Sequence, residues 1–171
     1  MSGDGALERV LVRAATSADA AGVAAVYNHY VAETVVTFEE SCVPSEEMAR
    51  RMGEVFAADL PWLVAEGAGD IVGYAYATRW RTRSGYRYSV EITVYLEPSC
   101  VGQGIGTQLY AALFERLQAL GVHAVIGGIA LPNPASVALH EKFGLEQVAH
   151  FRETGFKFGR WIDVGYWERI L

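Results

Sequence analysis

The chain has 171 residues, of which 51% are hydrophobic, so it is long enough for one domain with a substantial core; we place this domain at residues 1–171, with residues 1–6 as a flexible tail. Its net charge of −6 without a basic block argues against a nucleic-acid partner, and no apolar run reaches the ~18 residues of a membrane span. Two cysteines are too few for a disulfide framework, and with no secretory leader in Met1–Leu7 they favour a cytoplasmic protein.

The first part of the chain predicts a strand, two helices and a hairpin in that order. Val10–Arg13 forms a short strand, and Thr16 or Ser17 can cap a helix whose apolar side holds Val23, Val26, Tyr27, Tyr30 and Val31. Ser45 is the expected N-cap of the second helix, whose inward residues are Met48, Met52, Val55 and Phe56. The hairpin joins strands at Trp62–Glu66 and Ile71–Arg79.

The most informative stretch is residues 88–109, where a strand, a glycine-rich turn and a helix follow one another. Tyr88–Leu96 alternates apolar and polar residues, as in a half-buried strand, and Pro98 ends it. An amphipathic helix over residues 104–120 follows a turn with glycine at every second position: Gly102, Gly104 and Gly106. This order leaves unpaired backbone N–H groups at a helix N-terminus, which predicts a phosphate-binding site.

Three kinds of phosphate-binding loop compete for this pattern. A nucleoside-triphosphate loop requires Lys followed by Ser or Thr at the helix start, where this chain has Thr107 and Gln108, so that interpretation fails. A dinucleotide fingerprint requires a different glycine spacing and an acidic residue about 20 positions on, and the chain lacks both. The third kind is a pyrophosphate held by backbone donors alone, as in a coenzyme A site. A glycine-rich connection without a ligand is the remaining alternative.

The rest of the chain predicts a strand, a helix and a closing pair of strands. Val122–Leu131 is almost continuously apolar, as expected for a strand covered on both faces, and it should follow a right-handed parallel crossover. A helix near residues 134–143 precedes strands at about 146–158 and 161–170, joined at Gly159–Arg160. The full predicted order is β-α-α-β-β-β-α-β-α-β-β.

The stretch Val101-Gly-Gln-Gly-Ile-Gly106 after a strand resembles the acetyl-CoA loop of the GCN5-related N-acetyltransferases, whose element order matches this chain almost throughout. The resemblance implies an α/β (α+β) fold in which a mixed central sheet of about seven strands is flanked by about four helices. Val101 stands where the family has Gln or Arg. One side-chain contact to the pyrophosphate is therefore lost, while the hydrogen bonds from backbone N–H groups remain. The resemblance implies acetyl-CoA as cosubstrate and a binding site formed by Val94, Tyr95, Leu96, Gly102, Gln103, Gly104, Ile105, Gly106, Thr107 and Asn133. Lys142 is a candidate contact to a coenzyme phosphate, and a solvated lysine without this role is the favoured alternative.

Within that superfamily the chain resembles the phosphinothricin and methionine sulfoximine/sulfone acetyltransferases. The supporting stretches are residues 27–30, 61–66, 90–95, 131–141 and 155–164. The resemblance implies that a small-molecule amine acceptor binds in a pocket lined by Arg81, Arg83 and Tyr86, with Phe38 and Thr34 as further wall residues and Tyr110 as a weaker candidate. It also implies a homodimer, for which one expected interface is the aromatic C-terminal stretch with Trp161, Tyr166 and Trp167.

The acceptor pocket has independent support from a cluster of basic residues. Four arginines precede Glu91 within a short stretch of an acidic chain: Arg79, Arg81, Arg83 and Arg87. Alternate arginines at a strand end would point the same way and offer bidentate donors to a carboxylate, phosphinate or sulfone-like oxygen. A solvated basic loop is the alternative.

Glu91 is the candidate general base. It lies in the middle of the strand on its polar face, and a partly desolvated carboxylate has a raised pKa that suits it to collecting a proton from an amine. The pattern alone equally allows a Glu on a solvent-facing strand. The family resemblance, which places a catalytic Glu at this position, favours the catalytic role.

Two residues of the predicted fourth helix are candidates for other roles. The resemblance places His140 where many superfamily members have a general-acid Tyr, and imidazole can protonate a thiolate at physiological pH. A partly buried helical histidine without a catalytic role is the alternative. Asn133 followed by Pro134 is a good helix start, to which the resemblance adds a hydrogen bond to the pantetheine arm. Scattered histidines and widely separated cysteines argue against a metal site, and Cys100 lacks a neighbouring base.

These observations predict an acetyl-CoA-dependent N-acetyltransferase that acts on the α-amine of a small amino-acid-like acceptor by direct transfer. Glu91 would deprotonate the amine, backbone N–H groups near Val94–Leu96 would bind the thioester oxygen, and His140 would assist thiol departure. The alternatives are acetylation of a peptide N-terminus or another small amine, and a non-catalytic acyl-CoA sensor. A polyamine acceptor would require an acidic site, which the arginine cluster contradicts.

Overall fold

The computed structural model describes residues 10–171 and confirms a mixed sheet flanked by helices. The predicted flexible tail at residues 1–6 lies outside the described residues, and a single domain over residues 1–171 stays a prediction. The strands are β1 Leu11–Ala14, β2 Trp62–Gly67, β3 Asp70–Arg79, β4 Ser89–Leu96, β5 Ala124–Leu131, β6 Glu146–Lys157 and β7 Arg160–Ile170. The α-helices are α1 Ala20–Glu33, α2 Ser45–Ala57, α3 Ile105–Ala119 and α4 Pro134–Lys142. The predicted order of elements is therefore confirmed.

The seven strands form one sheet in the order β1-β2-β3-β4-β5-β7-β6. Every neighbouring pair is antiparallel except β4 and β5, which are parallel, as the strand-helix-strand pattern predicts. This parallel pairing is short: it joins Ser89–Glu91 to Ala124–Ile126 and goes no further, although both strands continue. A cleft therefore opens between the C-terminal halves of β4 and β5, with Glu91 at its apex.

Each face of the sheet is covered by its own apolar cluster. On one face, α3 buries Leu109, Leu113 and Leu117 completely. On the other face, α1 and α2 bury Val23 and Met52 against strand residues of the opposite parity. Burial of a leucine-sized side chain contributes about 2 kcal/mol before the loss of conformational entropy is subtracted. The two clusters fix both faces of the sheet, and with them the position of the cleft.

The boundaries of two helices differ from the prediction. Thr16 forms a capping box with Asp19, but it caps a 3-10 turn at Ser17–Asp19, and the N-cap of α1 itself is Asp19. The N-cap of α2 is Pro44, not Ser45, which is instead the first helical residue. Pro44 has extended backbone angles and its carbonyl accepts a hydrogen bond from the Met48 N–H, so the helix begins one residue earlier than it would with Ser45 as the cap.

Over residues 10–171, no helix is both long and apolar enough to cross a membrane.

Candidate active site

Glu91 lies half-buried at the last position of β4 that pairs with β5, opposite Thr78 of β3 and Ile126 of β5. Desolvation raises the pKa of its carboxyl, and the positive charge of Arg81 acts in the opposite direction. Among residues 10–171, no side chain donates a hydrogen bond to this carboxylate. It is therefore a desolvated acceptor with free lone pairs, which is what a general base requires.

A cavity of about 250 Å³ joins Glu91 to the cleft between β4 and β5. Its walls include residues from five separate parts of the chain: the α1–α2 connection, β4, α3, β5 and α4 with its N-cap. The structure here brings together several residues predicted from the sequence: Phe38, Glu91, Val94, Tyr95, Asn133 and His140. Tyr110, the weaker candidate from the sequence, also lines this cavity.

His140 and Tyr110 form a hydrogen-bonded pair in the wall of this cavity. The Tyr110 hydroxyl lies 3.0 Å from His140 Nε2, and His140 Nδ1 lies 2.7 Å from the Ser136 carbonyl oxygen. Because a carbonyl oxygen only accepts, Nδ1 carries the proton and Nε2 accepts from Tyr110. Burial lowers the pKa of His140, with the Ser136 carbonyl opposing the shift, so the neutral ring is favoured. The hydrogen on the Nε2 side of the pair therefore belongs to Tyr110.

Two glycines of β5 are functional residues that the sequence prediction missed. A β-carbon on Gly127 would lie 2.5 Å from two atoms of the His140 ring. On Gly128 it would lie 3.2 Å from Glu91 Oε1 and 3.0 Å from the Tyr166 ring. Both candidate groups thus approach bare backbone. Consecutive glycines inside an otherwise apolar strand are the signal that could have revealed this close approach.

The glycine turn has an open backbone surface at the start of α3. Gly102 and Gly104 have φ angles of +82° and +81°, which side chains of L-residues rarely adopt, and a β-carbon on either would meet nothing within 4 Å. Gly104 is the N-cap of α3, so the first N–H groups of the helix face this open space. The turn is not filled by side chains, and it fits a diphosphate held by backbone donors.

The side chains around the turn leave that surface clear. Gln103 turns away and donates to the Ser99 carbonyl oxygen at 2.8 Å. Lys142 of α4 donates to Thr107 Oγ1 at 3.2 Å, so its charge lies beside the first turn of α3. Gly106 is buried, and a β-carbon there would lie 3.2 Å from Leu139. Lys142 and Thr107 are thus close enough to the turn to meet an anion bound there.

The C-terminal half of β4 keeps one backbone edge free of β5. Val94 and Tyr95 lie in the cavity wall, whereas Leu96 does not, and its carbonyl oxygen accepts from the Tyr30 hydroxyl at 2.5 Å. At the other side of the cleft, Asn133 caps α4 and its side chain accepts from the Ser136 N–H at 3.1 Å, as predicted. Free strand donors can stabilise an oxygen that gains negative charge.

The arginine cluster differs from the prediction, because β3 ends at Arg79. Arg81 and Arg83 follow on an exposed connection that contains a 3-10 turn at Ser84–Tyr86, so they do not alternate along a strand. Arg81 packs over the Trp80 ring at 4.7 Å and is near enough to lower the pKa of Glu91. Arg83 and Tyr86 are exposed and lie outside the wall of the Glu91 cavity.

Two further residues lie elsewhere. Thr34 ends α1, and its hydroxyl donates to the Tyr30 carbonyl oxygen at 2.9 Å rather than lining the cavity. Arg79 borders a separate cavity of about 510 Å³ between α2 and the hairpin of β2 and β3, against Trp62 and Tyr76. Among residues 10–171, no group of three or more His, Cys, Asp or Glu side chains is placed to hold a metal ion.

Comparisons with known proteins identify the family of this chain. A family model described as an acetyltransferase (GNAT) domain matches residues 12–165. The chain belongs to this family. This GNAT-family chain is 41% identical to a phosphinothricin N-acetyltransferase of Streptomyces coelicolor, over 95% of the chain and 96% of the relative. It is 33% identical to an L-methionine sulfoximine/L-methionine sulfone acetyltransferase of Salmonella typhimurium, over 94% of each.

A solved structure of the same family confirms the fold. The phosphinothricin acetyltransferase of Sinorhizobium meliloti, crystallised in complex with acetyl-CoA, superposes with a TM-score of 0.91 at 37% identity, covering 95% of this chain and 88% of that one. The resemblance inferred from the glycine turn and the order of elements is thereby confirmed for the family.

Proposed function

We propose that this GNAT acetyltransferase transfers the acetyl group of acetyl-CoA directly to the α-amine of a small amino-acid-like acceptor, such as phosphinothricin, methionine sulfoximine or methionine sulfone. The observation that carries the proposal is the desolvated Glu91 carboxylate at the apex of the β4–β5 cleft, in one cavity with Tyr110 and His140. The activities named for the relatives in Streptomyces and Salmonella support the choice of acceptor.

The residues proposed to bind acetyl-CoA act mainly through their backbone N–H groups. The open turn at Gly102–Gly104 and the first N–H groups of α3 hold the diphosphate, with Lys142 beside them. The free edge of β4 at Val94–Leu96 gives N–H donors to the thioester oxygen as it gains charge. Asn133 lies across the cleft at the start of α4, where it can contact the pantetheine arm.

Glu91 prepares the acceptor. An alkyl ammonium cannot attack a thioester until it loses a proton, and near pH 7 most of it is charged. Glu91 takes this proton, through water, because its carboxylate is free of hydrogen bonds from other side chains and its pKa is raised by desolvation. Arg81 lies close enough to Glu91 to neutralise part of an acceptor's negative charge.

The leaving thiolate is assisted by Tyr110, with His140 as its positioning partner. Burial raises the pKa of Tyr110 far above its usual value, so the hydroxyl keeps its proton. Before the thiolate forms, the single hydroxyl hydrogen is donated to His140 Nε2, which sets the orientation of the hydroxyl. As negative charge develops on the sulfur, the O–H bond rotates from Nε2 toward the sulfur and donates to it, so the donor to the leaving group is Tyr110 rather than His140.

A thiol-release screen tests this function. Purified protein with acetyl-CoA is offered amino acids with phosphinate, sulfoximine, sulfone and plain apolar side chains, and the α-hydroxy analogue of each serves as a control without an amine. We expect thiol release with at least one α-amino acid and none with its hydroxy analogue. Acetyl-CoA binding by calorimetry without thiol release for any amine would favour the acyl-CoA sensor, and release only with peptides would favour the peptide alternative.

We also propose that the protein is a cytoplasmic homodimer. Both cysteines are free, which suits a reducing compartment. The edge strand β6, its neighbour β7 and the turn between them expose several large apolar residues: Val148, Phe151, Phe156, Phe158 and Trp161. Trp167, expected at the interface, is instead 3% exposed and belongs to the core. Light scattering on the purified protein should give twice the monomer mass, and Trp161→Glu should lower it to the monomer mass.

A further inference from the structure

Lys157, the last residue of β6, has an unusual environment for a lysine. It is 1% exposed, and its Nζ donates to the Thr37 carbonyl oxygen at 2.9 Å and to the Tyr30 carbonyl oxygen at 3.4 Å. No carboxylate forms a salt bridge with it in the described part of the chain. A buried ammonium without an ion pair is costly, so its hydrogen bonds to the backbone of a distant segment call for an explanation.

Tyr30 lies in the last turn of α1, and Thr37 lies in the connection between α1 and α2, which forms one wall of the Glu91 cavity. Thr37 and Phe38 both lie in this wall. Phe38 rests on bare backbone of β6, because a β-carbon on Gly155 would lie 2.2 to 2.7 Å from three atoms of its ring. Gly155 and Lys157 are alternate residues of one strand and therefore meet the connection from the same side.

An irregularity of β6 directs these two residues toward the connection. The pairing with β7 shifts between Phe151 and Gly155, where three residues of β6 face one residue of β7, Asp163. Asp163 anchors the irregular segment by accepting from the Glu153 N–H at 2.9 Å. Such bulges bend a strand and change where its side chains point, and they are common beside active sites.

The connection is tied to the helices as well, but on its other side. The Tyr27 hydroxyl of α1 lies 2.7 Å from Thr37 Oγ1 and also donates to Glu39, which in turn forms an ion pair with Arg51 of α2 at 2.8 Å. From the β6 side, Lys157 binds the backbone of Thr37 and Gly155 contacts the ring of Phe38. The ring therefore has one defined position in the cavity.

We propose that Gly155 and Lys157 are positioning residues that set the Phe38 wall of the acceptor cavity, and so determine which amino-acid side chains it accepts. This inference rests on the proposed function and deepens it. The Phe38 wall and the glycine turn lie on different elements, the α1–α2 connection and the start of α3. The binding of acetyl-CoA should therefore be insensitive to these residues, whereas the KM of the acceptor should depend on them.

The experiment uses Lys157→Met, which keeps the length of the side chain but removes its donor, and Phe38→Ala, which removes only a partly exposed ring. Arg152→Met, on the exposed part of the same strand, is the matched control. We expect Lys157→Met to raise the acceptor KM about tenfold, the size of one lost buried hydrogen bond, and to change the Kd of acetyl-CoA less than twofold. In the Phe38→Ala background the same change should have less than a twofold effect.

A second readout does not depend on turnover. Hydrogen exchange of the amides in residues 34–43 should accelerate about tenfold in Lys157→Met and stay unchanged in Arg152→Met, with the amides of α3 unaffected in both. If exchange accelerates equally over the whole chain, or if the effects of Lys157→Met and Phe38→Ala multiply, the positioning role is wrong. If the wild type acetylates no amino acid, the proposed function fails, while the exchange measurement still decides whether Lys157 holds the connection.

Discussion

Glu91 and Ile126 are the last two residues that pair across β4 and β5, and beyond them the strands diverge. The divergence places a carboxylate and the free backbone N–H of Val94 on one gap in the sheet. A thioester carbonyl that accepts from this N–H must lie within a few residues of Glu91. The end of one short parallel pairing thus brings the base and the site of developing negative charge together.

Replacement of Glu91 by glutamine should remove the base while keeping the size of the side chain. We expect kcat/KM to fall about 10²- to 10³-fold, the usual contribution of general-base catalysis, because positioning and backbone donors remain. The Kd of acetyl-CoA should not change. Glu115→Gln on the exposed side of α3 is the matched control and should keep full activity. Full activity of Glu91→Gln at neutral pH would remove Glu91 from the mechanism.

The pH profile of kcat/KM should report the environment of Glu91. Its pKa is raised by desolvation, so as pH falls through this raised value the carboxylate is protonated and activity is lost at a higher pH than for an exposed glutamate. Arg81 holds that pKa down, so Arg81→Gln should move the acidic limb to still higher pH. Arg83→Gln should leave the limb in place even if it weakens acceptor binding. If Arg81→Gln leaves the acidic limb at the same pH, Arg81 does not influence the pKa of the catalytic base.

Sequence patterns predicted those features that depend on local chemistry. The period-two alternation of β4 and the helix cap at Asn133 are local, and both are confirmed. The hydrogen bond between Tyr110 and His140 could not be predicted from local patterns, because it joins α3 to α4 across 30 positions of sequence. Lys157 was equally hidden: a lysine near a chain end is ordinarily solvated, and only the packing of the α1–α2 connection onto β6 buries it.

Gly104→Ala tests whether the glycine turn holds the diphosphate of acetyl-CoA. A φ of +81° costs an L-residue about 1–2 kcal/mol, and since no atom lies within 4 Å of the new methyl group, the cost is conformational strain rather than a clash. We expect the turn to relax and the Kd of acetyl-CoA to rise about tenfold, because each 1.4 kcal/mol corresponds to about that factor.

The matched control for this change is Gly53→Ala in the middle of α2, where a β-carbon also meets nothing within 4 Å. Its backbone is helical, so it should stabilise the protein by about 0.5–1 kcal/mol and leave the Kd unchanged. Calorimetry gives the Kd, and urea unfolding gives the stability. Unchanged binding in Gly104→Ala would show that the turn does not hold the diphosphate.

Tyr110→Phe tests whether the Tyr110 hydroxyl is the hydrogen-bond donor to the leaving thiolate. The change keeps the buried ring, removes the hydroxyl and leaves His140 Nε2 without a donor, so stability should fall by about 1–3 kcal/mol. We expect kcat to fall about tenfold at a temperature where circular dichroism shows the variant to be folded, with the Kd of acetyl-CoA unchanged. Because His140 acts through Tyr110, His140→Asn should lower kcat in the wild type but have little further effect in Tyr110→Phe. A destabilised Tyr110→Phe that keeps full kcat would limit the pair to a structural role.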